Sequence, residues 1–242
     1  MPSPTALVTG ATSGIGRATA IELLTRGWEV WIAGRDSHRV EAAAAELGGR
    51  ALLVDVTDPV GVAAAARRVS ELDVLVNNAG VSPEPSVPLA ESDAELFRRT
   101  YETNVFGVVT VTNAFLPLLR RSHRPRIVNV SSGTGSLTWS TGPNPQFDHH
   151  QAAANGGRLA AYRSSKTALN ALTLFYAQAL ADDGIKVNAL APGVRATNLN
   201  PAAAARGGDP AEAADAVVDL ATLADDGPTG QFFSYDGTPV PW

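Results

Sequence analysis

The chain has 242 residues, a formal net charge of −5, and 45% hydrophobic against 18% charged side chains. That length buries a large α/β core, and the acidic balance argues against a nucleic-acid binder. The absence of cysteine excludes a disulfide framework, a Cys-ligated metal and a thiol nucleophile.

No run approaches the roughly 18 apolar residues that a membrane helix needs. Met1–Thr5 leaves no room for a signal-peptide core before the first apolar stretch. The expectation is a soluble, cytoplasmic protein with neither a membrane nor a nucleic-acid partner.

In chain order, short apolar runs alternate with helix-length amphipathic segments. Strands are expected at Ala6–Thr9, Val30–Ala33, Ala51–Val54, Val74–Asn77, Ile127–Val130 and Val187–Leu190, with a weaker one at Gln231–Ser234. Helices are expected at Ile15–Thr25, Ser37–Leu47, Pro59–Ser70, Ala94–Leu119 (as two) and Ala160–Ala181. Strands apolar on both faces belong in a parallel sheet covered on both sides. The alternation predicts one doubly wound α/β domain, a Rossmann fold over residues 1–242. Two stretches break the rhythm. Ser136–Arg158 is rich in Gly, Pro, Asn and Gln and carries Trp139, Phe147, His149 and His150, while Asn198–Asp209 is Ala/Gly-rich and expected to be mobile.

The first chemistry-bearing segment is Thr9-Gly10-Ala11-Thr12-Ser13-Gly14-Ile15-Gly16, between the first strand and the first helix. A pyrophosphate needs backbone N–H groups close by and a helix dipole behind them, and glycines permit that approach. The second strand ends in Ala33-Gly34-Arg35-Asp36. Arg35 suits the 2′-phosphate of NADP, whereas Asp36 suits the ribose hydroxyls of NAD. NADP(H) is favoured over NAD(H), and the plain alternative is that both residues start a solvated helix.

Tyr162 and Lys166 stand four apart on a predicted helix and so share one face. In a chain whose only lysines are Lys166 and Lys186, an ammonium there is a signal. A nearby ammonium favours the phenolate and suits Tyr162 to proton transfer at a carbonyl or alcohol oxygen. Ser131 and Ser132 follow the strand that ends at Val130, where ligands bind in open α/β folds. A hydroxyl there can hold a substrate carbonyl, or merely cap the strand.

Together these residues resemble the short-chain dehydrogenase/reductase family. The resemblance rests on Thr9–Gly16, Asn77-Asn78-Ala79-Gly80, Asn104, the serine pair, Tyr162-Arg163-Ser164-Ser165-Lys166 and Pro192-Gly193, and it spans essentially the whole chain. It implies a sheet of about seven strands and hydride transfer between NAD(P)(H) and a small-molecule carbonyl or alcohol. Tyr162 would be the general acid/base, and Lys166 would lower its pKa and hold the nicotinamide ribose. Ser132 rather than Ser131 would meet the substrate, and Asn104 would kink its helix and hold a water.

The resemblance also implies cofactor contacts from Gly10, Thr12, Ser13, Gly14, Ile15, Gly16 and Arg35. Asp55 and Val56 would meet the adenine, and Asn78, Ala79 and Gly80 the adenosine side. Pro192, Gly193, Val194 and Thr197 would meet the nicotinamide end. Reduction of a C=N or C=C bond, or NADP binding without turnover, are the alternatives to carbonyl reduction.

Two departures from the family stand out. The 30-residue gap between Ser132 and Tyr162 is longer than usual, as in the family's monomeric NADPH-dependent carbonyl reductases. That likeness favours a monomer, with a dimer as the alternative. Trp139 and Phe147 then either wall the substrate pocket or pack the extra segment onto the body. No metal is expected at His149-His150. The other departure is the tail ending Pro239-Val240-Pro241-Trp242, expected to fold back onto the body.

Overall fold

The computed structural model describes residues 3–83, 88–146, 157–199 and 201–242. Phe147, His149 and His150 lie outside the described residues. Seven strands form one parallel sheet in the order β3-β2-β1-β4-β5-β6-β7. They are β1 (Thr5–Thr9), β2 (Glu29–Gly34), β3 (Arg50–Leu53), β4 (Val74–Asn77), β5 (Arg126–Val130), β6 (Lys186–Ala191) and β7 (Phe232–Ser234).

The strand period of two sorts the core into two layers. Leu7, Trp31, Ala33 and Leu75 point to one side, where they meet Val62, Val111, Phe115 and Ala177. Ala6, Val8, Val30, Ile32, Val74 and Val76 point to the other, against Ala20, Leu23, Ala43, Val217 and Leu220. The first layer is covered by helices α3 (Pro59–Ala66), α5 (Gly107–Leu119) and α7 (Ala160–Ala179), with α4 (Ala94–Tyr101) and a short α6 (Leu137–Thr141) preceding α7 in the chain. The second is covered by α1 (Gly14–Thr25), α2 (Ser37–Leu47) and α9 (Pro210–Ala221), with α8 at Pro201–Arg206. Because both faces are covered, the strands lack polar alternation, which is why they read as apolar runs.

The helices start where their caps dictate. Asp36 accepts a hydrogen bond from the Arg39 N–H at 3.1 Å, and Asp58, Asp93 and Asp209 cap α3, α4 and α9 in the same way. The expected helix over Ala94–Leu119 is two helices joined without a break by a π-turn at Glu102–Phe106.

Three expectations change. Helix α9 is absent from the sequence reading, although Asp209-Pro210 is a cap followed by proline at the first helical position. Within Asn198–Asp209, which breaks the strand-helix rhythm of the sequence, Pro201–Arg206 forms α8 and Gly208 pairs with Arg195. The helix expected to reach Ser70 ends at Ala66.

The tail does fold back. Trp242 stacks on Phe232 with ring centroids 5.5 Å apart, and its carbonyl accepts from the Thr138 N–H (3.2 Å) and hydroxyl (2.9 Å). Ser136 donates to the Pro241 carbonyl at 2.5 Å.

Candidate active site

The carboxyl ends of β1, β4, β5 and β6 open onto a cleft of about 410 Å³ at the crossover point of the sheet, where β1 is flanked by β2 and β4. One wall is the turn between β1 and α1. Gly10 and Gly14 take φ of 65° and 56°, a left-handed backbone that favours glycine. Gly16 serves a different purpose. A Cβ there would lie 2.3 Å from Asn78 Nδ2 and 2.6 Å from the Gly10 carbonyl oxygen, so only glycine lets α1 approach this closely.

Asn78 holds the same turn from the other side, donating to the carbonyl oxygens of Thr9 (2.8 Å) and Gly10 (3.3 Å). The Thr9 hydroxyl in turn accepts from the Asn78 and Ala79 N–H groups, each at 3.0 Å. Asn78, Ala79 and Gly80 also line the cleft.

The cleft is lined along its length by Gly10, Thr12, Ser13, Gly14, Ile15, Arg35, Asp55, Val56, Pro192 and Thr197. Gly16, Gly193 and Val194 do not line it. Gly16 packs α1, and Gly193 (φ 71°) turns the chain beside the Tyr235 ring. Val194 is exposed. Sequence reasoning missed Arg39, Val81, Thr103, Asn198 and Leu199, all of which line the cleft. Arg39 carries a readable signal, since it lies one helical turn beyond Arg35. Both guanidinium groups are exposed at the mouth and have no ion-pair partner among the described residues. Asp55 is turned onto Thr57, accepting from its N–H (3.0 Å) and hydroxyl (2.7 Å).

At the inner end stand Tyr162 and Lys166, projected from α7. Lys166 Nζ, only 5% exposed, donates to the Val130 carbonyl at 2.8 Å and lies 5.8 Å from the centroid of the Tyr162 ring. The serine pair is separated by its bonds. Ser131 points inward, donating to Asn170 Oδ1 at 2.6 Å, whereas Ser132 lies 2.9 Å from the Thr134 hydroxyl and acts to lower the pKa of the Tyr162 phenol. Asn104, fully buried on the π-turn, accepts from the Val81 N–H (2.8 Å) and donates to the Val81 carbonyl (2.9 Å) and the Ser165 hydroxyl (3.0 Å). A Cβ on Gly80 would sit 3.4 Å from Asn104 Oδ1 and 3.6 Å from Lys166 Nζ, so both groups lie against Gly80.

The electrostatics correct one expectation. Burial pushes the Tyr162 phenol up to about 12, and the hydrogen bond with Ser132 only partly offsets this. Burial pushes the Lys166 ammonium down to about 8. Desolvation of each group outweighs the attraction expected of the ammonium on the phenolate.

Trp139 is buried with Ala189, Ala191, Phe232 and Val240, so it packs residues 136–146 onto the body. Gln146 fastens the same stretch, donating to the Ser234 hydroxyl (3.0 Å) and the Ala191 carbonyl (3.3 Å).

A doubly wound sheet with a glycine-lined cleft at its crossover point, and a Ser–Tyr–Lys group at the inner end, defines a dinucleotide-dependent oxidoreductase. The family model for short chain dehydrogenases matches residues 4–144 and 151–206, and the chain belongs to that family, whose members are oxidoreductases that bind NAD(P)(H). A short-chain dehydrogenase of Penicillium roqueforti, anuI, is 37% identical over 211 residues, covering 81% of this chain and 80% of that one. The cis-4-hydroxycyclohexanecarboxylate dehydrogenase of Sinomonas cyclohexanicum is 36% identical over 253 residues, covering 96% and 94%. Among solved structures, a 3-ketoacyl-(acyl-carrier-protein) reductase from Brucella melitensis complexed with NADH superposes with a TM-score of 0.81 at 27% identity, covering 96% of each chain. Among the described residues no helix is long and apolar enough to cross a membrane.

Proposed function

We propose that this protein is an NADPH-dependent reductase of ketones or aldehydes, which runs in reverse as an alcohol dehydrogenase. The observation that carries the reading is the buried ammonium of Lys166 lying 5.8 Å from the centroid of the Tyr162 ring at the inner end of the cleft, with Ser132 lowering the pKa of that phenol. The residues fit a dinucleotide. Gly10 and Gly14 line the cleft with backbone alone, and Thr12, Ser13 and Ile15 continue the wall at the N-terminus of α1, the favourable end for a pyrophosphate. Arg35 and Arg39 offer unpaired cations for a 2′-phosphate, because Asp36 is engaged as the cap of α2. Asp55, Val56, Asn78, Ala79 and Gly80 form the adenosine side, and Pro192 and Thr197 the nicotinamide side, on the loop that Gly193 turns.

The dinucleotide, when bound, supplies or accepts the hydride. Ser132 orients the substrate carbonyl oxygen, and Tyr162 protonates that oxygen as negative charge builds on it. A phenol held near 12 keeps its proton at neutral pH and is therefore ready as a donor. At pH 7 the Lys166 ammonium, at about 8, is still mostly charged and stabilises the phenolate that remains. Asn104 holds the Val81 backbone beside that ammonium. A relative named for dehydrogenating a hydroxycyclohexane carboxylate supports an alcohol or ketone as substrate.

The test follows absorbance at the reduced dinucleotide's band with a panel of ketones and aldehydes, NADPH and NADH in parallel. NADPH is expected to be preferred. Tyr162→Phe is expected to lower kcat by 10²-fold or more, the scale of a general acid, with dinucleotide affinity unchanged. A Tyr162→Phe enzyme that turns over at the wild-type rate overturns the reading.

A further inference from the structure

The loop leaving β6 supplies Pro192, Thr197, Asn198 and Leu199 to the cleft, yet no strand pairs with it. It is held instead by the side chain of Arg195 and by a short bridge to Gly208. Arg195 is 6% exposed, an unusual burial for a guanidinium. Its Nε donates to the Pro192 carbonyl at 2.7 Å, three residues back on the same loop. Its Nη1 pairs with the Glu212 carboxylate in the first turn of α9. Its flat face lies 4.1 Å from the Tyr235 ring centroid, just beyond β7. One side chain thus ties together the exit of β6, the start of α9 and the exit of β7.

The backbone is shaped around it. Arg195 pairs with Gly208 in an isolated parallel bridge, with the Gly208 N–H donating to the Val194 carbonyl (3.0 Å) and the Ala196 N–H to the Gly208 carbonyl (2.8 Å). A Cβ on Gly207 would fall 2.0 Å from the Arg195 carbonyl carbon, and one on Gly208 would fall 2.7 Å from Nη1. Both positions therefore need glycine for the guanidinium to sit where it does. Two residues further along the loop, the Thr197 methyl lies 3.0 Å from where a Cβ on Gly14 would be, so the loop rests on the glycine-rich turn across the cleft.

We propose that Arg195 is a positioning residue for dinucleotide binding: its three-way contact holds the Pro192–Leu199 loop against the glycine-rich turn, so that Thr197 and Pro192 form the second wall of the cleft. The inference rests on the reading of that cleft as the dinucleotide site. Arg195 acts through the loop and touches neither substrate nor the reacting atoms.

The test uses Arg195→Met and Gly208→Ala, each with dinucleotide titrated by fluorescence and steady-state kinetics split into KM for dinucleotide and kcat. Gly208→Ala places a methyl group against the far end of a flexible side chain, so the fold survives while the guanidinium is displaced. Both variants are expected to raise Kd and KM for the dinucleotide tenfold or more, with kcat changed less than threefold. Arg126→Met is the matched comparison. That arginine is 3% exposed at the opposite end of the sheet, bonded to the Leu223 carbonyl and Asp225. Its loss is expected to lower thermal stability and leave dinucleotide affinity unchanged. Arg195 variants that bind dinucleotide within twofold of wild type overturn the proposal, as does an equal loss of affinity in Arg126→Met. A wild-type protein that binds no dinucleotide overturns the site reading instead, so the two failures are distinguishable.

Discussion

Keeping Lys166 inside the protein costs stability, and the cost has a pH signature. In the unfolded chain its ammonium titrates near 10.5; in the fold, burial moves it to about 8. At ~1.4 kcal/mol for each tenfold change in an equilibrium, that difference corresponds to about 3 kcal/mol of destabilisation when the group is charged. The sign follows from proton counts. Between pH 8 and 10.5 the unfolded chain still holds the proton and the folded one has released it, so folding stability rises with pH across that window. Below pH 8 both states are protonated and the full penalty is present.

Lys166→Met removes the penalty together with the hydrogen bond to the Val130 carbonyl, whose loss costs about 1 kcal/mol. The variant is therefore expected to be about 2 kcal/mol more stable than wild type at pH 7, with the advantage disappearing towards pH 10. Urea denaturation of both proteins at pH 7, 8, 9 and 10 reads this directly. The series stops at pH 10 because Tyr162, raised from 10 to about 12, starts to lower stability there. A difference between the two proteins that stays constant within about 0.5 kcal/mol across the series refutes the argument.

Gly16→Ala is expected to destabilise by about 1–3 kcal/mol, the range for overpacking, and to weaken dinucleotide binding tenfold. The new methyl meets the Gly10 carbonyl as well as a side chain; wild-type melting together with wild-type affinity would remove Gly16 from its packing role. Ser136→Ala leaves the Pro241 carbonyl and the buried Trp139 N–H without their partner, a loss of about 1–2 kcal/mol in a urea titration. Since that bond anchors the segment following Ser132, KM for the carbonyl substrate is expected to rise while dinucleotide Kd stays fixed, and a change confined to Kd contradicts this placement.

The strands were legible because burial on both faces leaves nothing but apolar runs, and each expected strand lies within a residue or so of the observed one. Helix α9 was not, because its sequence Pro-Ala-Glu-Ala-Ala-Asp-Ala-Val-Val-Asp-Leu-Ala directly follows an alanine- and glycine-rich stretch that masks its start. Its cap was the readable part. Tyr162, Lys166 and Ser132 were legible as residue types at fixed spacings along the chain. The resemblance already favoured Ser132 over Ser131, and the coordinates add that the Ser131 hydroxyl is engaged by Asn170. Arg195 left no sequence signal, because its carbonyl, carboxylate and aromatic partners come from three separate segments. The direction of the Tyr162 shift was hidden for a related reason: spacing reveals a neighbouring ammonium, but not how much water the fold removes from both groups.

One construction recurs along the crest of the sheet. A carbonyl at the carboxyl end of a parallel strand, or just beyond it, has left the ladder and needs a donor. Asn78 donates to Thr9 after β1, Asn104 to Val81 beyond β4, Lys166 to Val130 at the end of β5, and Arg195 to Pro192 beyond β6. In all four cases the donor is a side chain from another segment or further along the loop. Each bond fixes a stretch of backbone that turns into the cleft. Amide, ammonium and guanidinium groups are costly to bury, and a strand exit offers the acceptor that makes burial tolerable. The requirement runs both ways, since these carbonyls would otherwise be orphaned as the helices close over the sheet. The cleft floor is therefore set by side-chain-to-backbone bonds, and a substitution that keeps the charge but shortens the reach, such as Arg195→Lys, breaks the wall as surely as one that removes the charge.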